Sequence, residues 1–280
     1  MALPTPHPFS TARDLPVDLY SFAPIAAVLD AAYTVVIALS ELIAPFAGAS
    51  AAALAVVLIT LVVRAALIPV GIAQIRAQLT RERLAPRLRQ LQQKYKGKPE
   101  LLQRKTMEFY AAEKASPLAG CLPTLAQAPV ISIVYALFIL PMINGHPNAL
   151  LTQEFAGVPL GTSLVGLVGS GDPGLGAVTF VVMLAVLGVV AWMSRRVAQR
   201  LAPPVADAPP PAPGMPDMRR LGATLSWMPF IIVVIAAIVP LAATIYLTVT
   251  TSWTLAERIL IRRALTSRAR GTGETGLVAR

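Results

Sequence analysis

Residues 50–70 read SAAALAVVLITLVVRAALIPV. With Ala49 they form an apolar stretch of about twenty residues, enough to cross a ~30 Å hydrocarbon core at ~1.5 Å per residue. One cation, Arg64, interrupts the stretch, and Glu41 and Arg76 are the nearest charges on either side. An arginine at mid-span is disfavoured by roughly 2.5–3.5 kcal/mol on insertion scales, so what surrounds Arg64 decides how the chain is read.

Composition supports the membrane reading. Only 14% of the 280 residues are charged, 55% are apolar, and the mean hydropathy is +0.65. Soluble domains carry about 25% charge. A net charge of +10 would suggest nucleic acid in a soluble protein, whereas in a membrane protein it marks cytoplasmic loops. The single Cys121 excludes an intrachain disulfide and reads as a small buried hydrophobe. Met1–Leu19 holds four prolines and one basic residue, Arg13, a pattern that does not fit a secretory signal.

In chain order, residues 1–48 are an N-terminal tail and an amphipathic helix. Within PIAAVLDAAYTVVIALSELIAP (24–45), Asp30, Thr34 and Glu41 fall within about 40° of one another on a helical wheel. Such a narrow stripe suits a helix lying in the headgroup plane. The competing reading is an extra span. Residues 49–70 are the first span, and 71–116 an antiparallel helical hairpin outside the membrane. Gly71–Lys114 carries eleven Lys or Arg against four Glu. KGKP (96–99) separates the two arms, and Pro86 is expected to kink the first. Residues 117–141 form the second span, with Thr124, Gln127, Ser132 and Tyr135 as its polar residues. A loop at 142–176 without Lys or Arg leads to the third span, 177–194. A proline-rich loop, 195–220, precedes the fourth span (221–239) and the fifth (241–256), and a basic tail covers 257–280. The fold class is an all-α polytopic membrane protein with five transmembrane helices.

Charge asymmetry orients it. Of 24 Lys and Arg, 22 fall in the hairpin, the proline-rich loop with its flanks, and the tail. Five spans put those three segments on one side, which is the cytoplasm, so the N-terminus lies outside and the C-terminus inside.

Arg64 then has three readings. It snorkels to the headgroups, although Cα–Cβ bonds tilt towards the helix N-terminus and away from that surface. It pairs with Glu257, the nearest acid at the end of the fifth span. Or it lines a water-containing cavity with Thr60, Gln127 and the polar run TIYLTVTTSWT (244–254), which contributes Tyr246, Thr250 and Trp253. Any one of these threonines more often bonds its own backbone, and Trp253 equally suits an interfacial anchor. No HExxH, GxSxG, aspartyl pair or phosphate loop is present, and His7 and His146 do not make a metal site. Neither an enzyme nor a cofactor or metal is expected.

Several stretches resemble one family. LITLVVRAALIPV (58–70), LAPRLRQLQQKYKGKP (84–99) and SPLAGCLPTLAQAPV (116–130) are similar, in order and spacing, to the YidC/Oxa/Alb membrane protein insertases. WMPFIIVVIAAIVPLAATIYLTVTTSWTLAERILIRR (227–263) resembles the family's last two spans. Ser116 stands where the family usually has Asn, and Glu257 where glutamine is common. The resemblance implies a monomeric five-span insertase and chaperone with a hydrophilic groove. Arg64 would hold acidic residues of a nascent membrane protein there while its apolar helix enters lipid along the second and fifth spans. It also implies that the hairpin and tail meet partners, the Sec translocon or the ribosome. The rival class is a transporter or channel for an anionic solute using Arg64 as its binding charge. Such proteins usually show internal repeats, and none is visible. A third reading is a non-catalytic subunit of a membrane complex, with Arg64 structural.

Overall fold

The computed structural model describes residues 23–116, 128–143, 145–171, 174–201, 224 and 226–275. Helix α1 (Ala23–Ala47) ends at Gly48, whose φ of +54° lies in the left-handed region that glycine enters without a Cβ penalty. A 3-10 turn (Gly48–Ser50) leads into α2 (Ala51–Ala66). Residues Val28–Val36 and Ile59–Leu67 border one cavity, so α1 packs against α2. Leu29, Val36 and Ser40 form the buried stripe of α1. Asp30, Thr34 and Glu41 are exposed together to one side of it. Val28, Val35, Leu42 and Phe46 are exposed to the other, Phe46 to 92%.

Leu67 separates α2 from α3 (Ile68–Lys94), which starts with Pro69 in its first turn, where the missing N–H has no helical partner to lose. Helix α3 continues unbroken through Pro86. After the turn at Tyr95–Gly97, α4 (Pro99–Ala112) returns alongside it. Arg83 and Arg87 on α3 reach Glu113 at the end of α4 at 3.5 and 3.1 Å, which makes the two arms antiparallel.

Helix α5 (Ala128–Ile139) is followed by two short antiparallel ribbons, β1 (Met142–Ile143) with β2 (His146–Pro147) and β3 (Glu154–Phe155) with β4 (Val158–Pro159). Then come α6 (Leu164–Gly169), α7 (Gly174–Leu201), α8 (Met228–Ile238) and α9 (Leu241–Thr275). The 142–176 segment expected as a plain loop is therefore a folded cap. Asn148, 3% exposed, organises it. Its Nδ2 donates to the Leu137 and Leu140 carbonyls at 2.8 and 3.0 Å, and its Oδ1 accepts from the Leu150 amide at 3.2 Å. The amides of Leu241 and Ala242 donate to Thr162 and Leu160, tying the start of α9 to the same cap.

The core lies at this capped end: Ala52, Ala53, Phe138, Leu150, Val158, Leu160, Phe180 and Leu241–Ala243 are buried together. Along α2, burial thins beyond Thr60. On α7 and α8, Val178, Val181, Val189, Ile231, Val234 and Ile238 are exposed, as expected of surfaces that meet lipid. Two described stretches are long and apolar enough to cross a membrane, Ala23–Ala66 and Gly176–Arg200, and Met228–Ile238 is a shorter apolar helix. The all-helical character holds. The last helix does not stop where its hydropathy does: α9 runs from the apolar segment through the basic tail to Thr275. No proline interrupts that stretch, so nothing local ends the ladder.

Candidate functional site

Arg64 lies in the last turn of α2 and is partly buried. Its Nε donates to Thr250 Oγ1 on α9 at 3.4 Å, a long contact between residues 186 positions apart. Among the described residues, no carboxylate comes within 4.0 Å of the guanidinium. Beside it is a cavity of about 410 Å³ bordered by α1, α2, α5 and α9. Among the described residues, Thr60, Arg64 and Tyr246 give this cavity its polar side-chain atoms. Val35, Val36, Val63, Ile133, Leu137 and Phe138 are among its apolar walls. It is a mostly apolar chamber with one cation at its edge.

The predicted site residues separate into groups. Arg64, Thr60 and Tyr246 share the cavity, and Thr250 joins them through its hydrogen bond to Arg64. Thr60 Oγ1 is turned to its own helix, donating to the Val56 carbonyl at 2.6 Å, so it shapes the wall and offers its proton inward to α2. Thr248, Thr251 and Thr254 likewise donate to carbonyls of α9. Thr250 is the member of the run that receives the arginine. The Tyr246 ring packs 6.0 Å from Phe138, joining α9 to α5. Gln127 lies outside the described residues.

Trp253 belongs to a second arrangement. Its Nε1 donates to Glu257 Oε2 at 3.1 Å. The Glu257 carboxylate lies against Gly71 on α3, where a Cβ would overlap Oε1. Oε1 itself is buried and has no hydrogen-bond partner among the described residues. Glu257 feels the Arg64 charge without contacting it, so the ion pair considered from sequence is not formed. A glycine four residues beyond a helix break, facing an acid at the end of an apolar run, was a signal that sequence reading passed over.

Further along the same seam, Arg262 on α9 makes a two-pronged contact with Glu82 on α3: Nη1 to Oε1 at 2.9 Å and Nη2 to Oε2 at 2.7 Å. Gln78 Nε2 donates to the same Oε1 at 3.2 Å. The Glu82 hydrogen bond raises the Arg262 pKa above its ordinary value, against the opposing effect of partial burial. The basic tail is thus fastened to the hairpin by its own charge.

The fold and site define a helical membrane protein with a partly buried arginine bordering an interhelical cavity. Residues 43–268 match the family described as 60Kd inner membrane protein, and the chain belongs to that family. This is the YidC/Oxa/Alb family whose motifs the sequence carries. The membrane protein insertase YidC of Clostridium perfringens is 40% identical over 81 residues, 29% of this chain and 34% of that protein. The YidC of Tropheryma whipplei (strain Twist) is 44% identical over 88 residues, 30% of this chain and 28% of that protein. The chloroplastic inner membrane protein ALBINO3 of Arabidopsis thaliana is 28% identical over 223 residues, 75% of this chain and 46% of that protein. The chain therefore matches less than half the length of each of these relatives.

Proposed function

We propose that this protein is a membrane protein insertase and chaperone, in which Arg64 captures acidic residues of a substrate segment and the neighbouring apolar walls pass its hydrophobic helix to lipid. The observation that carries the reading is the state of Arg64. It is partly buried and, among the described residues, held by one long hydrogen bond to Thr250 and facing a chamber rather than a carboxylate. An intramembrane cation without a protein counter-ion attracts an acidic ligand, and at an effective dielectric near 20 two unit charges ~4 Å apart attract by about 4 kcal/mol before desolvation is subtracted. That is enough for capture and small enough for release into water.

The mostly apolar lining favours an apolar helix over a solvated anion as the guest, which separates this reading from an anion transporter. In this account the five spans are residues 49–70, 117–141, 177–194, 221–239 and 241–256, with the hairpin and tail in the cytoplasm of a bacterium. The unequal distribution of Lys and Arg supports that topology. Helix α1 lies at the outer interface, with its polar stripe towards headgroups and Leu42 and Phe46 towards acyl chains. The exposed basic faces of the hairpin and tail are where a ribosome or the Sec translocon would meet the protein, which works as a monomer and without a cofactor.

Site-specific photo-crosslinking tests the insertase reading. A benzophenone side chain at Val134 or Tyr246 is expected to capture a stalled nascent membrane protein, whereas one at Ile231 on α8 captures little. Equal labelling at all three positions, or none with a nascent chain, refutes the proposed path.

A further inference from the structure

A second cavity, of about 450 Å³, lies where α7 ends, lined by Trp192, Arg195, Arg196, Gln199 and Arg200. Its construction differs from that of an ordinary solvated basic face. The Arg195 guanidinium stacks on the Trp227 ring with Cζ 3.8 Å from the centroid, and that of Arg196 covers Trp192 at 4.2 Å. Arg195 Nε also donates to Ser226 Oγ at 3.3 Å. Among the described residues none of the three arginines makes an ion pair. A stacked guanidinium gives its face to the ring and keeps its edge, with the remaining N–H donors, for a planar or tetrahedral anion.

We propose that this cavity binds the phosphodiester headgroup of an anionic phospholipid. Three features select a lipid among anions. Arginine forks match phosphate oxygens in pairs, and Arg195, Arg196 and Arg200 all line this cavity. Trp192 and Trp227, 47% and 54% exposed, mark the level of a membrane interface. Below them α7 exposes Val189, Val186 and Val182, a surface for acyl chains that begins about 10 Å from Arg196 along the helix. α8 begins at the Trp227 that Arg195 covers, so a bound headgroup fastens the end of one apolar helix to the start of the next. Basic segments at the cytoplasmic end of a membrane helix attract anionic headgroups. The site is separate from the Arg64 cavity and does not depend on the insertase reading.

The test is native mass spectrometry on the purified full-length chain, delipidated in neutral detergent and titrated with phosphatidylglycerol or phosphatidylcholine. Wild-type protein should retain phosphatidylglycerol in preference to phosphatidylcholine. Arg195→Gln/Arg196→Gln should lower phosphatidylglycerol occupancy roughly tenfold or more, given the attraction of each cation near a membrane surface. Arg196→Gln alone, at an exposed position whose loss uncovers only the Trp192 ring, should lower it several-fold. A charge-matched control on the hairpin, Arg104→Gln/Lys105→Gln, should bind as wild type. Undiminished binding by the Arg195/Arg196 variants, or equal retention of the two lipids, overturns the proposal. So does displacement of the lipid by millimolar inorganic phosphate or by a short single-stranded RNA, which assigns the cavity to a free anion or a nucleic-acid backbone.

Discussion

The two-pronged contact between Glu82 and Arg262 is predicted to set how firmly the basic end of α9 rests on the hairpin. Both hydrogen bonds are short, at 2.9 and 2.7 Å, and the side chains are 20% and 26% exposed for Arg262 and Glu82. That exposure places the pair between a solvent-screened bridge, worth about 0–1 kcal/mol, and charge-assisted hydrogen bonds in drier surroundings, worth about 1.5–3 kcal/mol. A coupling of about 1–2 kcal/mol is therefore expected, which corresponds to a roughly 5- to 30-fold change in the local opening equilibrium. Because the folded-state pKa of Arg262 is raised, its contribution is complete below the ordinary arginine value and is lost only as pH rises through the raised one. The arginine therefore adds no pH dependence near neutrality. The assay is hydrogen exchange of the Arg258–Ser267 amides in wild type, Glu82→Gln, Arg262→Gln and the double variant. Each single variant should speed exchange there, and the double variant should add little to either. Additive effects, with coupling below about 0.3 kcal/mol, refute the reasoning, because the two side chains then act independently.

Three further predictions follow from the geometry. Asn148→Ala removes a side chain that makes three hydrogen bonds at 3% exposure, and should destabilise the protein by about 2–3 kcal/mol, read as a lowered unfolding midpoint in detergent; an unchanged midpoint contradicts its anchoring role. Gly71→Ala should push the Glu257 carboxylate aside and break its bond to Trp253, seen as a shift of the Trp253 indole N–H resonance, and an unmoved resonance contradicts the packing. Glu108 is held below the ordinary glutamate pKa chiefly by the Lys105 hydrogen bond at 2.6 Å, so its contribution to α4 is complete above the ordinary value and lost as pH falls through the lowered one. Acid-induced fraying of α4 in hydrogen exchange should lose that component in Glu108→Gln, and an identical pH profile contradicts it.

Where local chemistry decides structure, the sequence was legible. The break at KGKP lies between the end of α3 at Lys94 and the start of α4 at Pro99, because Pro99 suits a first helical turn and the flanking apolar spacing is helical. Helix α1 follows the periodicity of residues 24–45. Hydropathy was a poorer guide to helix ends: α9 extends well past Ala256, since polar side chains leave the apolar phase without breaking the backbone ladder. The same limit applies to the cap, whose ribbons depend on Asn148 reaching carbonyls on α5, a contact between distant segments. At the site, Arg64 could be singled out by its cost alone. Its acceptor, Thr250, was one hydroxyl among several in a threonine-rich run, and only the approach of α9 to α2 distinguishes it. The Glu82–Arg262 contact spans 180 positions and had no sequence signature beyond opposite charge.

Arg64 is the proposed counter-charge for substrate. The direct measurement is the insertion rate of a small single-span protein with an acidic outer segment, and of its Asp→Asn twin, in depleted cells complemented with wild type, Arg64→Lys or Arg64→Ala. Wild type and Arg64→Lys should insert the acidic substrate faster than the neutral one. Arg64→Ala should slow the acidic substrate about tenfold or more, a fraction of the Coulomb energy available at such a site, and bring the two substrates together. Insertion of the acidic substrate by Arg64→Ala at the wild-type rate would contradict the capture mechanism.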